Sequence, residues 1–338
     1  MTFFPKKRIL NEYLFIVDEK GDEHMIHTIT MPVPFAVGTV NAFLVKGDAL
    51  TLFDAGSKTK EAYEALQFGL KEAGYTFKDV EQVVLTHHHP DHSGWVEAFD
   101  RATLLGHQYN QFWLTRDEQF FNFHDQFYYD RLVEEGVPQK DYHWIQKMKR
   151  PIALIGERPL DAILEEGDEL PGHPGWTVLE TLGHAQSHLS FWNERNRELI
   201  GGDLLLGKVS SNPLIEPPMD PSAERPRSLL QYNASLRRLL DLPIDVVYAG
   251  HGHEVRDVHP LIENRLQEQQ QRAQKVYAMF NGGAKTIYEL TQELFPAVYE
   301  KELGLTLSET IGQVDDLFDQ ALLTETITEN GILYYAKK

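Results

Sequence analysis

Apolar residues fall along this chain in short runs of strand length, separated by stretches with helical spacing. Residues 40–45 (VNAFLV) and 49–53 (ALTLF) read as strands, followed by an amphipathic helix over about 58–73. Val83, Val84 and Leu85 form another strand-like run, and 91–99 is helix-like. The mixed pattern returns over 161–250. There residues 176–179 (WTVL), 199–203 (LIGGD) and 244–248 (IDVVY) read as strands, and about 226–240 as a helix. Two such βα halves predict an α/β protein: two sheets face to face with helices outside, an αββα four-layer sandwich.

The pattern changes after about residue 260. A long polar helix over 261–280 ends at Asn281-Gly282-Gly283. A short segment over 286–295, a helix over about 308–323 and a strand-like run at 332–335 follow. The reading is therefore a domain over 1–260, with a helical, aromatic-rich insert at about 107–160, and a small domain over 261–338.

The chemistry concentrates where strands end. Thr86-His87-His88-His89-Pro90-Asp91-His92 follows the run at 83–85 and fits His-x-His-x-Asp-His. Backbone held in a sheet lets imidazoles converge, and Pro90 restricts His89 to extended conformations. Imidazole and carboxylate together suit zinc, with manganese and iron as weaker alternatives. Four candidate ligands are too many for one closed site and too few for two. Three further strand ends supply more: Gly183-His184, Gly202-Asp203 and Gly250-His251-Gly252. Glycine there lets backbone turn sharply and approach an ion. His88 is expected to point away from the metals, because neighbours in extended backbone face opposite sides.

This series resembles the metallo-β-lactamase fold superfamily. The motif His87-x-His89-x-Asp91-His92 followed by His184, Asp203 and His251 is similar to the family's ligand set in order, over roughly residues 25–260. The resemblance implies one metal held by His87, His89 and His184 and another by Asp91, His92 and His251, with Asp203 bridging. The chain has no cysteine, so it departs from the antibiotic-degrading zinc β-lactamases and resembles the glyoxalase II and ribonuclease Z branches. Asp54, in Leu52-Phe53-Asp54-Ala55-Gly56, resembles the family's early strand-end aspartate. The tail resembles the winged-helix-like module appended to some of these hydrolases.

Two divalent ions ~3.5–4 Å apart can share a water, lower its pKa and polarise a carbonyl or phosphoryl oxygen. The bridging hydroxide is then the nucleophile, and Asp91 is the residue expected to orient it and take its proton. Asp54 is expected to fix an imidazole tautomer. His188 reads either as a similar supporting residue, with a possible proton-donor role, or as a strand histidine bonded to nearby backbone. The implied activity is hydrolysis of an ester, thioester or lactone carrying an apolar group. A phosphodiesterase or ribonuclease of the same fold, an iron redox enzyme, and a ligand-sensing regulatory protein are the alternatives.

The segment 107–147 is expected to choose the small-molecule substrate. It holds eleven of the chain's 37 Phe, Tyr and Trp residues. Phe120, Phe121, Phe127 and Tyr128 belong to a set that covers too wide an arc for one face of a helix. Some are therefore expected to line a pocket, or alternatively to form a homodimer contact. Net charge bears on partners: −19 over 338 residues argues against broad nucleic-acid affinity. The tail has no Lys or Arg between Lys301 and Lys337, so it reads as a packing or dimerisation module that walls one side of the cleft. The start of the chain lacks the apolar run of a secretory signal and no stretch approaches a membrane span. With no cysteine, this fits a cytoplasmic protein.

Overall fold

The computed structural model describes residues 26–337, preceded by four two-residue strands between Ile9 and His24. A six-stranded sheet comprises β1 (Ile26–Pro32), β2 (Thr39–Lys46), β3 (Leu50–Phe53), β4 (Gln82–Val84), β5 (Thr103–Gly106) and β6 (Ala162–Ile163). Its spatial order is β6-β5-β4-β3-β2-β1. The β3–β6 half is parallel, and β1 and β2 close it antiparallel. A second sheet runs in order through β7 (Trp176–Glu180), β8 (Leu189–Asn193), β9 (Glu198–Gly202) and β10 (Val246–Ala249), the last pair parallel.

Side-chain alternation builds the layers. On β2, Phe43 and Val45 face the second sheet and meet Phe191, Ile200 and Tyr248, while Ala42 and Leu44 face outward to Leu66 and Leu70. Phe53 packs edge-on against Phe191 at 4.9 Å. The outer faces are covered by α1 (Lys60–Glu72) on one sheet and α5 (Ser228–Leu239) on the other. Strands buried on both faces read as continuous apolar runs. The αββα sandwich is the architecture found.

One local expectation fails. Residues 91–99 form turns and a single 3₁₀ turn at Val96–Ala98, not a helix. The Gly94 and Trp95 amides donate instead to the Gly56 and Ala55 carbonyls. Gly94 lies so close to that loop that a Cβ there would sit 2.3 Å from the Lys58 nitrogen. A long-range backbone contact outcompetes helical pairing.

The insert supplies α2 (Gln108–Leu114), α3 (Glu118–Glu134) and α4 (Trp144–Lys149). The tail supplies α6 (Val258–Met279), α7 (Ile287–Leu294), α8 (Leu303–Asp319) and an antiparallel hairpin, β11 (Leu323–Thr328) and β12 (Gly331–Ala336). Thr286 caps α7 through a reciprocal bond with Glu289. Helix α8 begins and ends earlier than its spacing predicts and is buried over most of its length.

No linker divides the two units at residue 260. Val258 and Ile262 of α6 pack in the core beneath the second sheet, whereas its Ala273 and Val276 join the tail core. That tail core also takes Phe127, Leu132 and Trp144 from the insert. Arg225, just before α5, clamps the tail with two bonds to Asp315 at 2.8 and 2.7 Å. Among the described residues no helix is long and apolar enough to cross a membrane.

Glu135, at the end of α3, is buried beside this clamp. Burial outweighs Arg131 and Arg225 and pushes its carboxyl up from 4.5 to about 7. The folded state therefore holds this proton at pH values where the unfolded chain has released it, so stability falls as pH rises between those two values. Glu135→Gln should remove most of that fall and raise Tm at pH 8 relative to the parent. Urea titrations of both proteins at pH 5, 6, 7 and 8 check this; parallel pH profiles would refute it.

Candidate metal centre

Five segments deliver polar side chains to one edge of the sandwich, at or after strand C-termini. Asp54 follows β3, the 86–92 segment follows β4, His184 lies beyond β7, Asp203 follows β9 and His251 follows β10. Ligand sites in α/β folds lie at that edge. Glycines allow the approach. Gly202 adopts φ +49°, and a Cβ on Gly250 would meet the Asp203 carboxylate at 2.3 Å.

The histidines are held from behind. The Thr86 hydroxyl donates to Asp54 Oδ2 at 2.8 Å, leaving its oxygen to accept from His87 Nδ1 at 2.9 Å. His92 Nδ1 donates to Asp54 Oδ2 at 2.8 Å, and His251 Nδ1 to the Thr39 carbonyl at 2.6 Å. His184 Nδ1 lies 3.0 Å from the Asn212 carbonyl and 2.8 Å from Ser211 Oγ. An N–H committed at Nδ1 leaves Nε2 as a bare lone pair. Asp54, buried at φ +64°, also accepts the Thr86 amide and so pins β3 to the motif.

The lone pairs converge. His87, His89 and His184 offer ligand atoms within 4.8 Å of one another, as do Asp91, His92 and His251. Asp203 stands between the groups: Oδ2 is 3.5 Å from His184 Nε2 and 3.1 Å from His251 Nε2, and Oδ1 is 3.4 Å from His92 Nε2. Asp91 Oδ2 lies 3.4 Å from His251 Nε2. Nε2 of His87, His89, His92 and His184 and Oδ1 of Asp203 are buried without a hydrogen-bond partner.

Electrostatics divide this set in two. Burial, reinforced by neighbouring histidines, holds His87 well below its ordinary value and His184 down to about 4, so both are neutral donors at physiological pH. Burial also opposes charge on His251, but Asp203 and then Asp91 override it and raise it to about 10. His92 is likewise raised well above its usual range by Asp203, Asp54 and Asp91 despite burial. The carboxylate side thus favours positive charge, and the residues fit divalent cations.

The supporting residues sort themselves. His188 is fully buried; its Nε2 accepts the Asp203 amide at 3.0 Å and its Nδ1 lies 2.8 Å from Thr181 Oγ1. It holds the segment that carries Asp203. His88 stacks on Trp113 at 4.4 Å and meets His89 edge-on at 4.9 Å, and with His89 and Glu216 it forms a further group of closely spaced ligand atoms. Its Nε2 is 3.1 Å from Glu216, a residue the sequence reading did not single out. A carboxylate inside the apolar run Leu214-Ile215-Glu216-Pro217 was the available signal.

A cavity of about 530 Å³ opens beside His89, Pro90 and Asp91. Its walls include Trp113, Tyr128, Trp144 and Ile152 from the insert and its flank, and Leu305 and Ser308 from α8. Of the four aromatics expected to line a pocket, Tyr128 does. Phe120 and Phe121 pack around Trp113 in the core under the first sheet, and Phe127 belongs to the tail core. Helix α3 is apolar on a wide arc because it is sandwiched between two cores.

Residues 36–251 match the family model of the Metallo-beta-lactamase superfamily. The chain is 41% identical over 311 residues to the "Probable metallo-hydrolase YqjP" of Bacillus subtilis (strain 168), covering 92% of this chain and 97% of the relative. A more distant likeness, 28% over 130 residues, covers 36% of a hydroxyacylglutathione hydrolase of Bdellovibrio bacteriovorus and 38% of this chain. Among solved structures, a metallo-beta-lactamase family protein of Thermus thermophilus superposes with a TM-score of 0.77 at 28% identity, covering 92% of this chain and 98% of that one. This chain therefore belongs to the metallo-beta-lactamase superfamily.

Proposed function

We propose that this chain is a dinuclear metal-dependent hydrolase of esters, thioesters or lactones whose acyl or alcohol part is apolar. The observation that carries this reading is the set of bare, buried Nε2 atoms on His87, His92 and His184 gathered with Asp203, with an apolar cavity opening beside them. His87, His89 and His184 would hold one ion, Asp91, His92 and His251 the other, with Asp203 shared between them. Divalent ions held there, zinc foremost, supply a water activated near neutral pH and an electrophile for the substrate oxygen.

The chain's own residues do the rest. Asp91, at the mouth of the cavity, can orient the attacking water and accept its proton. Asp54 and Thr86 keep His92 and His87 in the tautomer that gives Nε2 away. Trp144, Ile152, Leu305 and Tyr128 exclude water and seat the apolar group. The thioester option is supported by the partial likeness to a hydroxyacylglutathione hydrolase. Polyanionic substrates fit less well: the cavity walls carry Asp91, Glu216 and Glu302 against Lys147, whose Nζ is already bonded to the Lys301 carbonyl. In the tail, Glu309 pairs with Arg272 and Asp315 with Arg225. The winged-helix-like order of helices and hairpin serves, in this reading, to wall the cleft and not to read DNA.

Metal analysis of protein purified without added ions should find close to two ions per chain. Asp203→Ala should lose or misplace at least one and abolish hydrolysis while leaving the fold intact, whereas His88→Ala should keep both. Stripping the metal should lower Tm, with recovery on adding zinc. A fully active Asp203→Ala variant would falsify the dinuclear mechanism.

Substrate length gives a second test. Trp144→Ala and Ile152→Ala should weaken long apolar acyl esters more than short ones, by about one to three orders of magnitude in kcat/KM, since a lost buried contact is worth a few kcal/mol at most. Phe120→Ala, lying off the cavity, should cost stability without changing length preference. Equal losses at every chain length in the first two variants would place the pocket elsewhere.

A further inference from the structure

Four of the five histidines in the cluster have Nδ1 tied to an oxygen behind the ring: His87, His92, His184 and His251. His89 is the exception, with no hydrogen bond to its ring among the described residues. Its Nε2 is buried, and the carboxylate oxygen facing it is Glu216 Oε1, at 3.5 Å. The same Oε1 lies 3.1 Å from His88 Nε2, so one oxygen spans two adjacent imidazoles.

Glu216 is itself immobilised. Its Oε2 accepts the Gln186 amide at 2.6 Å. The flanking carbonyls are pinned by the insert: the Tyr128 hydroxyl donates to Ile215 at 2.7 Å and the Tyr109 hydroxyl to Pro217 at 2.9 Å. The Ile215 amide donates to Ser308 Oγ of α8 at 3.2 Å. His88 is fixed as well, by Ser187 Oγ at 2.8 Å and by stacking on Trp113. Three structural units converge to hold one carboxylate still beside the one imidazole that lacks a support.

We propose that Glu216 is the positioning residue of His89: its carboxylate accepts the Nε2–H, which leaves Nδ1 to face the metal. The inference rests on the reading of His89 as a ligand. Where the other histidines use a hydroxyl, a carbonyl or Asp54, His89 uses a carboxylate delivered from the wall of the substrate cavity. His88 serves as the brace that keeps Glu216 at the correct angle. Orienting partners of this kind change metal affinity by about 10–100-fold when removed.

The test uses the full chain, stripped of metal and titrated with cobalt(II), read by visible absorption and by elemental analysis. The parent should take up two ions. Glu216→Ala should bind one of them about 10–100-fold more weakly and leave the other unchanged. Glu216→Gln should lose less, because its amide oxygen still accepts a hydrogen bond; it also reads the proposal should the alanine variant fail to fold. In a His89→Ala background, Glu216→Ala should cause no further loss of affinity. Unchanged binding of both ions by Glu216→Ala and Glu216→Gln would overturn the proposal. So would an equal loss of both ions, or a further loss in the His89→Ala background. Uptake of a single ion by the parent would instead fail the dinuclear reading, and the His89→Ala comparison would still report on Glu216.

Discussion

The structure is organised around a concentration of bare lone pairs at one sheet edge. The Nε2 atoms of His87, His92 and His184 and one Asp203 carboxylate oxygen are buried there without hydrogen-bond partners. A buried group of that kind costs about 1–3 kcal/mol when nothing donates to it. Four of them would rival the ~5–15 kcal/mol by which a domain is stable at all. Such an arrangement is tolerable in a protein whose edge binds cations, because the same groups then contribute binding energy that is also folding energy. The surrounding architecture can be read as the means of keeping those lone pairs aimed inward.

That aim is achieved by committing the other nitrogen of each ring. Asp54 serves His92 directly and His87 through Thr86, which explains why a residue at φ +64° is placed at the end of β3. Asn41 ties the two sheets together where the site needs them close, donating from its side chain to the Ala249 and Gly252 carbonyls at 3.0 and 2.9 Å. The Thr39 carbonyl of the same strand receives His251. Relative motion of the sheets would therefore shift the site, and the aromatic core of Phe43, Phe53, Phe191 and Tyr248 resists it.

Much of this centre was legible in the sequence because strand ends are legible. The motif at 87–92 follows an apolar run, and His184, Asp203 and His251 each follow a glycine. Burial on both faces and parallel pairing put those ends on one edge without further information. Asp54 was legible for the same reason. The cavity was not, because its walls come from segments distant in sequence: Ser308 bonds Ile215 across 93 positions. The aromatic cluster at 120–129 pointed to a pocket or a subunit contact, because its periodicity cannot distinguish either from a second core. Phe120 answers to the first sheet and Phe127 to the tail. The turn at 91–99 was missed because Gly94 obeys a contact with Gly56 that no local pattern encodes.

The histidine cluster and the cavity walls are anchored differently. The candidate ligands sit on strand ends, where hydrogen-bonded sheets restrict error to fractions of an ångström. The cavity is lined mostly from the insert and the tail, although Trp113 also packs in the core under the first sheet. Yet the two are not independent. The segment 214–217 carries Glu216 to the edge of the metal centre and is bonded to Tyr109, Tyr128 and Ser308 at once. Insert and tail share one hydrophobic core, which includes Ile215 itself. A change in how these helices pack would reach the site through a short chain of hydrogen bonds, not through the sheets. The tail is then coupled to the histidine cluster, because it completes the wall of the cavity and holds the loop that faces His89.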